Sequence, residues 1–292
     1  MAENLGADKS SLPSTGAQSS ENLPTPTKNS PSQLRKRYKY SLIAGIIVVT
    51  LIIAAVVGYT VGNAFKYHGQ LRQQGLLHFP AYVEDPESTL ILFRYGKPSS
   101  FSGYTDQIEG VLRGYSPVNQ SSDNVQLCIS GPPDPLSGRV CYFPLRNLGG
   151  SCTRQEDYGF DEASPCVLLM LNGPEEWTPN GYTEDTVPKP SRGQYQTNYS
   201  IGSWESFVGV RCEFEEPADI ENGGPISFYP AHGFSTKYFP FQEAKHYRSP
   251  LVMVKFDKPN LGVLFKVTCR ALARNINPGD KRFQTTFSIR ID

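Results

Sequence analysis

The reactive groups that stand out in this chain are thiols. Cys128, Cys141, Cys152, Cys166, Cys212 and Cys269 form an even set, and such a set either pairs as disulfides or holds a metal. No two of them stand in a Cys-x-x-Cys spacing, and His68, His78, His232 and His246 are scattered, so the donor pattern of a zinc site is missing. Disulfides in an oxidising compartment are the expected chemistry. Six cysteines allow fifteen connectivities. The sequential one, Cys128–Cys141, Cys152–Cys166 and Cys212–Cys269, closes the smallest loops. Chain-entropy arithmetic gives about 3 kcal/mol for each short loop and about 4 kcal/mol for the long one.

Other chemistry finds little support. The sequence has no Asp-x-Asp, His-Glu-x-x-His, Gly-x-Ser-x-Gly or Gly-x-x-x-x-Gly-Lys, the motifs that would hold a metal–nucleotide sugar, a zinc ion, a nucleophile or a phosphate. Glu156, Asp157, Asp161 and Glu162 surround Tyr158-Gly159-Phe160 between two cysteines and read as a solvated turn. No cofactor, metal site or catalytic residue is expected. Asn119-Gln120-Ser121 and Asn198-Tyr199-Ser200 are acceptors for N-linked glycans.

The element that decides the compartment is the run Ser41–Gly62, SLIAGIIVVTLIIAAVVGYTVG, which has no Asp, Glu, Lys, Arg or His. Its 22 residues span roughly 33 Å as a helix, enough to cross a bilayer core. Arg35, Lys36, Arg37 and Lys39 precede it, while Lys66 and Arg72 are sparser beyond, so the leading end is held in the cytosol. The run is longer than a signal-peptide core and residues 1–40 precede it, which favours an uncleaved anchor. The expectation is a single-pass type II membrane protein with its C-terminal domain outside. Ala54, Gly58 and Gly62 recur every fourth residue and offer a face for another helix.

Four segments follow: a disordered tail (1–40), the membrane helix (41–62), a stalk (63–89) and a disulfide-bonded ectodomain (90–292). The tail is rich in Ser, Pro, Asn and Thr and cannot bury enough apolar surface to order itself. Lys and Arg together number 28, as do Asp and Glu; this balance, without a basic stripe, argues against nucleic-acid binding.

In the ectodomain, Val208, Val210, Cys212 and Phe214 alternate with Gly209, Arg211 and Glu213. The same period of two recurs in Val263–Ala271 and Phe283–Ile291, whereas Leu251–Phe256 and Cys166–Leu171 are continuous apolar runs. Cys212 and Cys269 fall on apolar faces, which places their bridge in or beside the core. Phe101, Tyr104, Ile108, Val111, Leu112 and Tyr115 have helical spacing, with Ser99 or Ser100 as the expected cap. The fold class is mainly β: an antiparallel sandwich with one short helix, behind a single transmembrane helix.

These residues also resemble a family. Val140-Cys141-Tyr142-Phe143-Pro144-Leu145-Arg146-Asn147-Leu148-Gly149, Cys152, Tyr158-Gly159-Phe160 and the stretch Pro165-Cys166 to Asn172 look like the beta subunit of the sodium/potassium pump. So do Phe93-Arg94, Val210-Arg211-Cys212, Phe228-Tyr229-Pro230, Tyr247 with Pro250 to Phe256, Cys269-Arg270-Ala271 and Asp280 to Gln284. The resemblance covers roughly Leu90 to the C-terminus and includes the order of the cysteines.

It implies sequential disulfides, an immunoglobulin-like ectodomain and a non-catalytic role. Such a subunit assists the folding, assembly and plasma-membrane delivery of a catalytic alpha chain of a P-type cation ATPase, modulates potassium transport, and itself resides in the plasma membrane. The phosphorylation motif Asp-Lys-Thr-Gly of the alpha chain is absent. Carried over by position, Tyr229, Pro230, Gly233, Tyr247 and Pro250 match the partner contact; the same residues would also make a rigid turn. The chain differs from the family at Ala231 and His232, where further aromatics are expected. It also has an insertion before Tyr247, Gly150 in place of a glycosylated asparagine, and few aromatics in the membrane run. A beta-like adhesion or matrix protein is the alternative reading, and a type II ectoenzyme a weaker one.

Overall fold

The computed structural model describes residues 31–81, 88–129, 131–134, 137–183, 185–188, 196–197, 204–241 and 246–292. Residues 1–30, the body of the expected disordered tail, lie outside these. The chain divides into two units, 1–65 and 66–292.

The first unit is dominated by helix α1 (Pro31–Leu71), which runs past both ends of the apolar stretch. Its segment Tyr38–Gly58 is long and apolar enough to cross a membrane, and its Leu, Ile and Val side chains are exposed. The Thr50 hydroxyl donates to the Ile47 carbonyl at 2.8 Å, so this polar group is satisfied within the helix, as a lipid environment requires.

The second unit contains β1 (Gly75–Phe79), β2 (Leu90–Phe93), helix α2 (Ser102–Arg113), β3 (Val125–Gln126), β4 (Val140–Cys141), β5 (Cys166–Asn172), β6 (Gln196–Thr197) and β7 (Phe207–Phe214). Short helix α3 (Pro217–Asn222), β8 (Ile226–Tyr229), β9 (Gly233–Ser235), β10 (Leu251–Phe256), β11 (Leu264–Leu272) and β12 (Gln284–Ile291) complete it. Two five-stranded sheets form, in the orders β1-β5-β10-β8-β6 and β2-β12-β11-β7-β9. They are antiparallel except at β6–β8 and β2–β12, which pair in parallel. The alternation seen in sequence follows burial: Val208, Val210, Cys212 and Phe214 face inward, as do Phe265, Val267, Cys269, Phe287, Ile289 and Ile291. The faces meet through Phe256 of the first sheet, whose ring lies 6.0 Å from Phe265 and 6.0 Å from Phe287 of the second.

β5 and β10 are buried along their whole length because the outer face of their sheet is covered too. The cover is α2 and the loops after it. The Tyr115 hydroxyl donates to the Ser249 carbonyl at 2.7 Å, Lys255 reaches Ser151 at 3.0 Å, and the Cys152–Cys166 bridge bonds the cover to β5. Within the cover, Gln120 is buried with its amide committed to Phe143 and Tyr115: it accepts from Phe143 N and donates to both carbonyls.

One expectation is corrected. Neither Ser99 nor Ser100 caps α2. The helix starts after Phe101 without a side-chain cap, because the Ser100 hydroxyl is taken by Lys97 O at 2.7 Å and Arg94 N at 2.9 Å. Burial of Tyr104, Ile108 and Val111 holds the helix instead. Cys212 and Cys269 are fully buried, as their place on apolar strand faces predicts, and their bridge stitches neighbouring strands β7 and β11 at directly opposed positions, with Cα atoms 3.9 Å apart. In antibody domains the conserved bridge joins the two sheets, whereas this one lies within a single sheet.

Candidate partner-binding face

Two segments come together at one end of the first sheet. β8 ends at Tyr229, the Tyr229–Pro230 peptide is cis, and the chain returns as β9. Tyr229 lies opposite Met253, so the antiparallel register carries the turn past the start of β10, directly after Tyr247 and Pro250.

The five residues do different jobs. Gly233 lies opposite Gly209, and a Cβ on it would stand 2.6 Å from the Val208 carbonyl oxygen. Only glycine lets β9 close on β7. Pro250 is buried, and its carbonyl accepts from Leu171 N at 3.4 Å. The Tyr247 hydroxyl donates to the Tyr238 carbonyl at 2.8 Å, with its ring edge-on to Phe241 at 5.2 Å. Burial pushes the Tyr247 phenol well above the ordinary tyrosine range, and it stays neutral. That leaves Pro230, which is exposed, and Tyr229, which is half-buried, as the groups a partner could touch.

The turn between them is fixed from both sheets. His232 is buried with its ring 4.1 Å from Phe228 in β8, and its carbonyl accepts from Val210 N in β7 at 2.7 Å. An imidazole here stacks as an aromatic residue would.

Two contributors escaped sequence reasoning. Gly150 has φ +76°, and a Cβ on it would fall 2.6 Å from Cε1 of Tyr229; the tyrosine ring lies on bare backbone. The Gly149-Gly150 pair marks a turn, but not its neighbour. Arg248 donates to the carbonyls of Gly114 (2.6 Å), Asn119 (3.0 Å) and Tyr247 (2.8 Å). One guanidinium thus ties the end of α2 and the first sequon to the Tyr247 segment, and no sequence spacing announces it.

The remaining candidate residues lie elsewhere. Bridges join Cys128–Cys141, Cys152–Cys166 and Cys212–Cys269. Asn119 is exposed, and its amide donates to the Arg113 carbonyl at 2.7 Å; Asn198 lies outside the described residues. Ala54 and Gly58 are exposed on α1, whereas the surroundings of Gly62 lie outside those described. In the acidic loop Glu156, Asp161 and Glu162 are exposed around buried Tyr158 and Phe160, and the Tyr158 hydroxyl donates to Glu109 at 2.6 Å. Among the described residues no group of three or more His, Cys, Asp or Glu could hold a metal ion.

Comparison with known proteins gives this geometry a context. The family model described as sodium/potassium ATPase beta chain matches residues 38–291. Sodium/potassium-transporting ATPase subunit beta-2 of Drosophila melanogaster is 31% identical over 204 residues, covering 66% of this chain and 62% of that protein. A probable sodium/potassium-transporting ATPase subunit beta-3 of Caenorhabditis briggsae is 30% identical, covering 69% and 60%. Potassium-transporting ATPase subunit beta of Rattus norvegicus is 26% identical, covering 73% and 71%. The match thus spans about three fifths of the first two relatives' length. One N-terminal apolar helix and these likenesses fit a single-pass membrane protein. Because the matched region takes in both the apolar helix and the β-sandwich, the chain belongs to the sodium/potassium ATPase beta chain family.

Proposed function

We propose that this chain is the non-catalytic beta subunit of a P-type sodium/potassium pump. In this reading it is a type II protein of the plasma membrane with its sandwich outside the cell. It assists the folding, assembly and delivery of the catalytic alpha chain and modulates potassium transport. The observation that carries the reading is the family match across residues 38–291; the relatives' names point the same way. Pro230 and the ring of Tyr229 are the proposed contact. Gly233, Tyr247 and Pro250 hold that contact in place, and Ala54, Gly58 and Gly62 offer a second contact within the bilayer. Glycans on Asn119 and Asn198 fit the proposed outward orientation.

The test is purification of the chain from native membranes in mild detergent. A P-type alpha chain should co-purify, and Tyr229→Ala with Pro230→Ala should lower its recovery at unchanged expression. Normal surface delivery with no alpha chain attached would instead favour the adhesion or matrix reading.

A further inference from the structure

β1 is the strand through which the chain from α1 joins the sandwich, and four ties supplement its ladder with β5. Before it, the Asn172 amide donates to the carbonyls of Leu71 and Gln73 at 2.9 and 2.7 Å, while Asn172 Oδ1 accepts from Ser249 at 2.5 Å. At its start Gly75, with φ +119°, lies so close to the Arg282 carbonyl that a Cβ would fall 2.2 Å from it. After it, Gln107 exchanges two hydrogen bonds with the Ala81 backbone, at 2.9 and 3.1 Å. Within it stands His78, opposite Leu169 on the inner face. Its Nδ1 meets the Thr285 hydroxyl at 2.6 Å, and its ring lies 4.9 Å from Phe287. His78 therefore bridges the edge of the first sheet to β12 of the second, and of the four ties it is the titratable one.

The imidazole is poorly prepared for a charge. Its Nε2 is buried without a hydrogen-bond partner. Protonation would place an N–H donor and a positive charge there, in an apolar slot with no acceptor. Among the described residues, the neighbouring elements supply no counter-charge. β5 has no charged side chain. On β12, Arg290 is exposed and bonded to Asp292. In the turn before β12, Lys281 is exposed and Arg282 pairs with Asp280. On α2, Asp106 pairs with Arg154, Glu109 accepts from Tyr158, and Arg113 is exposed.

We propose that His78 is an acid-releasable latch, by which protonation frees β1 from β12 and loosens that edge of the first sheet. Burial lowers the His78 pKa from 6.5 to about 4. The sign follows. Any form with β1 released regains the ordinary pKa and binds the proton more tightly, so the closed form is fully favoured above pH 6.5 and loses ground as pH falls toward 4. At pH 5 the ratio of released to closed forms should rise about thirtyfold over its value at about pH 7.5.

Hydrogen exchange on the full chain in detergent, corrected for intrinsic rates, reads this ratio locally. Between pH 7.5 and 5, protection of the β1 amides should fall about thirtyfold more in the wild type than in His78→Phe, with β11 as the control strand. Equal losses in the two proteins would overturn the latch. If His78→Phe does not fold, His78→Gln serves as the comparison. An NMR titration of the wild-type imidazole decides independently, and a midpoint near the ordinary histidine value would also sink the proposal.

Discussion

The Tyr104 hydroxyl seals the free edge of β2 by bonding twice to Leu92: it accepts from the Leu92 N–H at 3.0 Å and donates to the Leu92 carbonyl at 3.1 Å. β2 pairs with β12 on one side only. An edge strand normally presents such groups to any passing chain. Here one phenol from α2 occupies both, and its ring is itself buried against Phe160 at 5.9 Å.

Tyr104→Phe keeps the ring and removes both bonds. It should lower stability by about 1–3 kcal/mol, the range for stranding buried backbone partners. The measurement is the denaturant midpoint of the full chain, with size-exclusion chromatography to detect pairing through the opened edge. An unchanged midpoint would show that water replaces the phenol without loss.

How much of this was legible in sequence depends on what each signal encodes. Val208 to Phe214 alternate because one face of β7 is buried, so the pattern names both strand and face. Cys166 to Asn172 lose the alternation because α2 and its following loops cover the outer face. A continuous apolar run reports burial, but not what provides it. The Ser100 cap failed for a local reason, since its hydroxyl had nearer partners at Arg94 and Lys97. The parallel pairing of β2 with β12 joins residues about two hundred positions apart, and no local pattern carries it. At the candidate face, the family motif pointed to Tyr229 and Pro230, the contact proposed above. Gly150 and Arg248 contribute through neighbours distant in sequence, and only the fold reveals them.

The long disulfide should matter more than either short one. Cys212 and Cys269 are 57 residues apart, against separations of 13 and 14 for the other pairs. Loop entropy then gives about 4 kcal/mol for the long bridge and about 3 kcal/mol for each short one. Replacing Cys212 and Cys269 together by Ala should therefore lower the thermal midpoint further than replacing Cys128 and Cys141. Both are read on the purified full chain under non-reducing conditions. The reverse order would show that native packing, not chain entropy, sets the ranking.

Asn119 is placed to accept a glycan. Its side chain is exposed, and a glycosylated amide nitrogen keeps one hydrogen, which can still donate to the Arg113 carbonyl. Asn119→Gln should raise gel mobility by one glycan, and amidase treatment of the wild type should remove the same mass. Because Arg248 reaches the Asn119 backbone carbonyl, a bond the substitution keeps, the fold should stay intact. No mobility change would remove this site from the glycosylated set.

Gly150 and Tyr229 should behave as one unit. Gly150→Ala forces a left-handed backbone on a residue with a Cβ, at about 1–2 kcal/mol. It also drives that Cβ into the Tyr229 ring, 2.6 Å from Cε1. With Tyr229→Ala already made, the collision is gone and only the backbone strain remains. The double mutant should thus be more stable than the sum of the single losses predicts, with a coupling of roughly 1 kcal/mol. Recovery of the alpha chain should fall in Gly150→Ala, because the displaced ring no longer sits beside Pro230 as a partner would meet it. If the two stability losses simply add, the ring does not rest on Gly150. If coupling appears but alpha-chain recovery is unchanged, the ring position is real and the partner touches another surface.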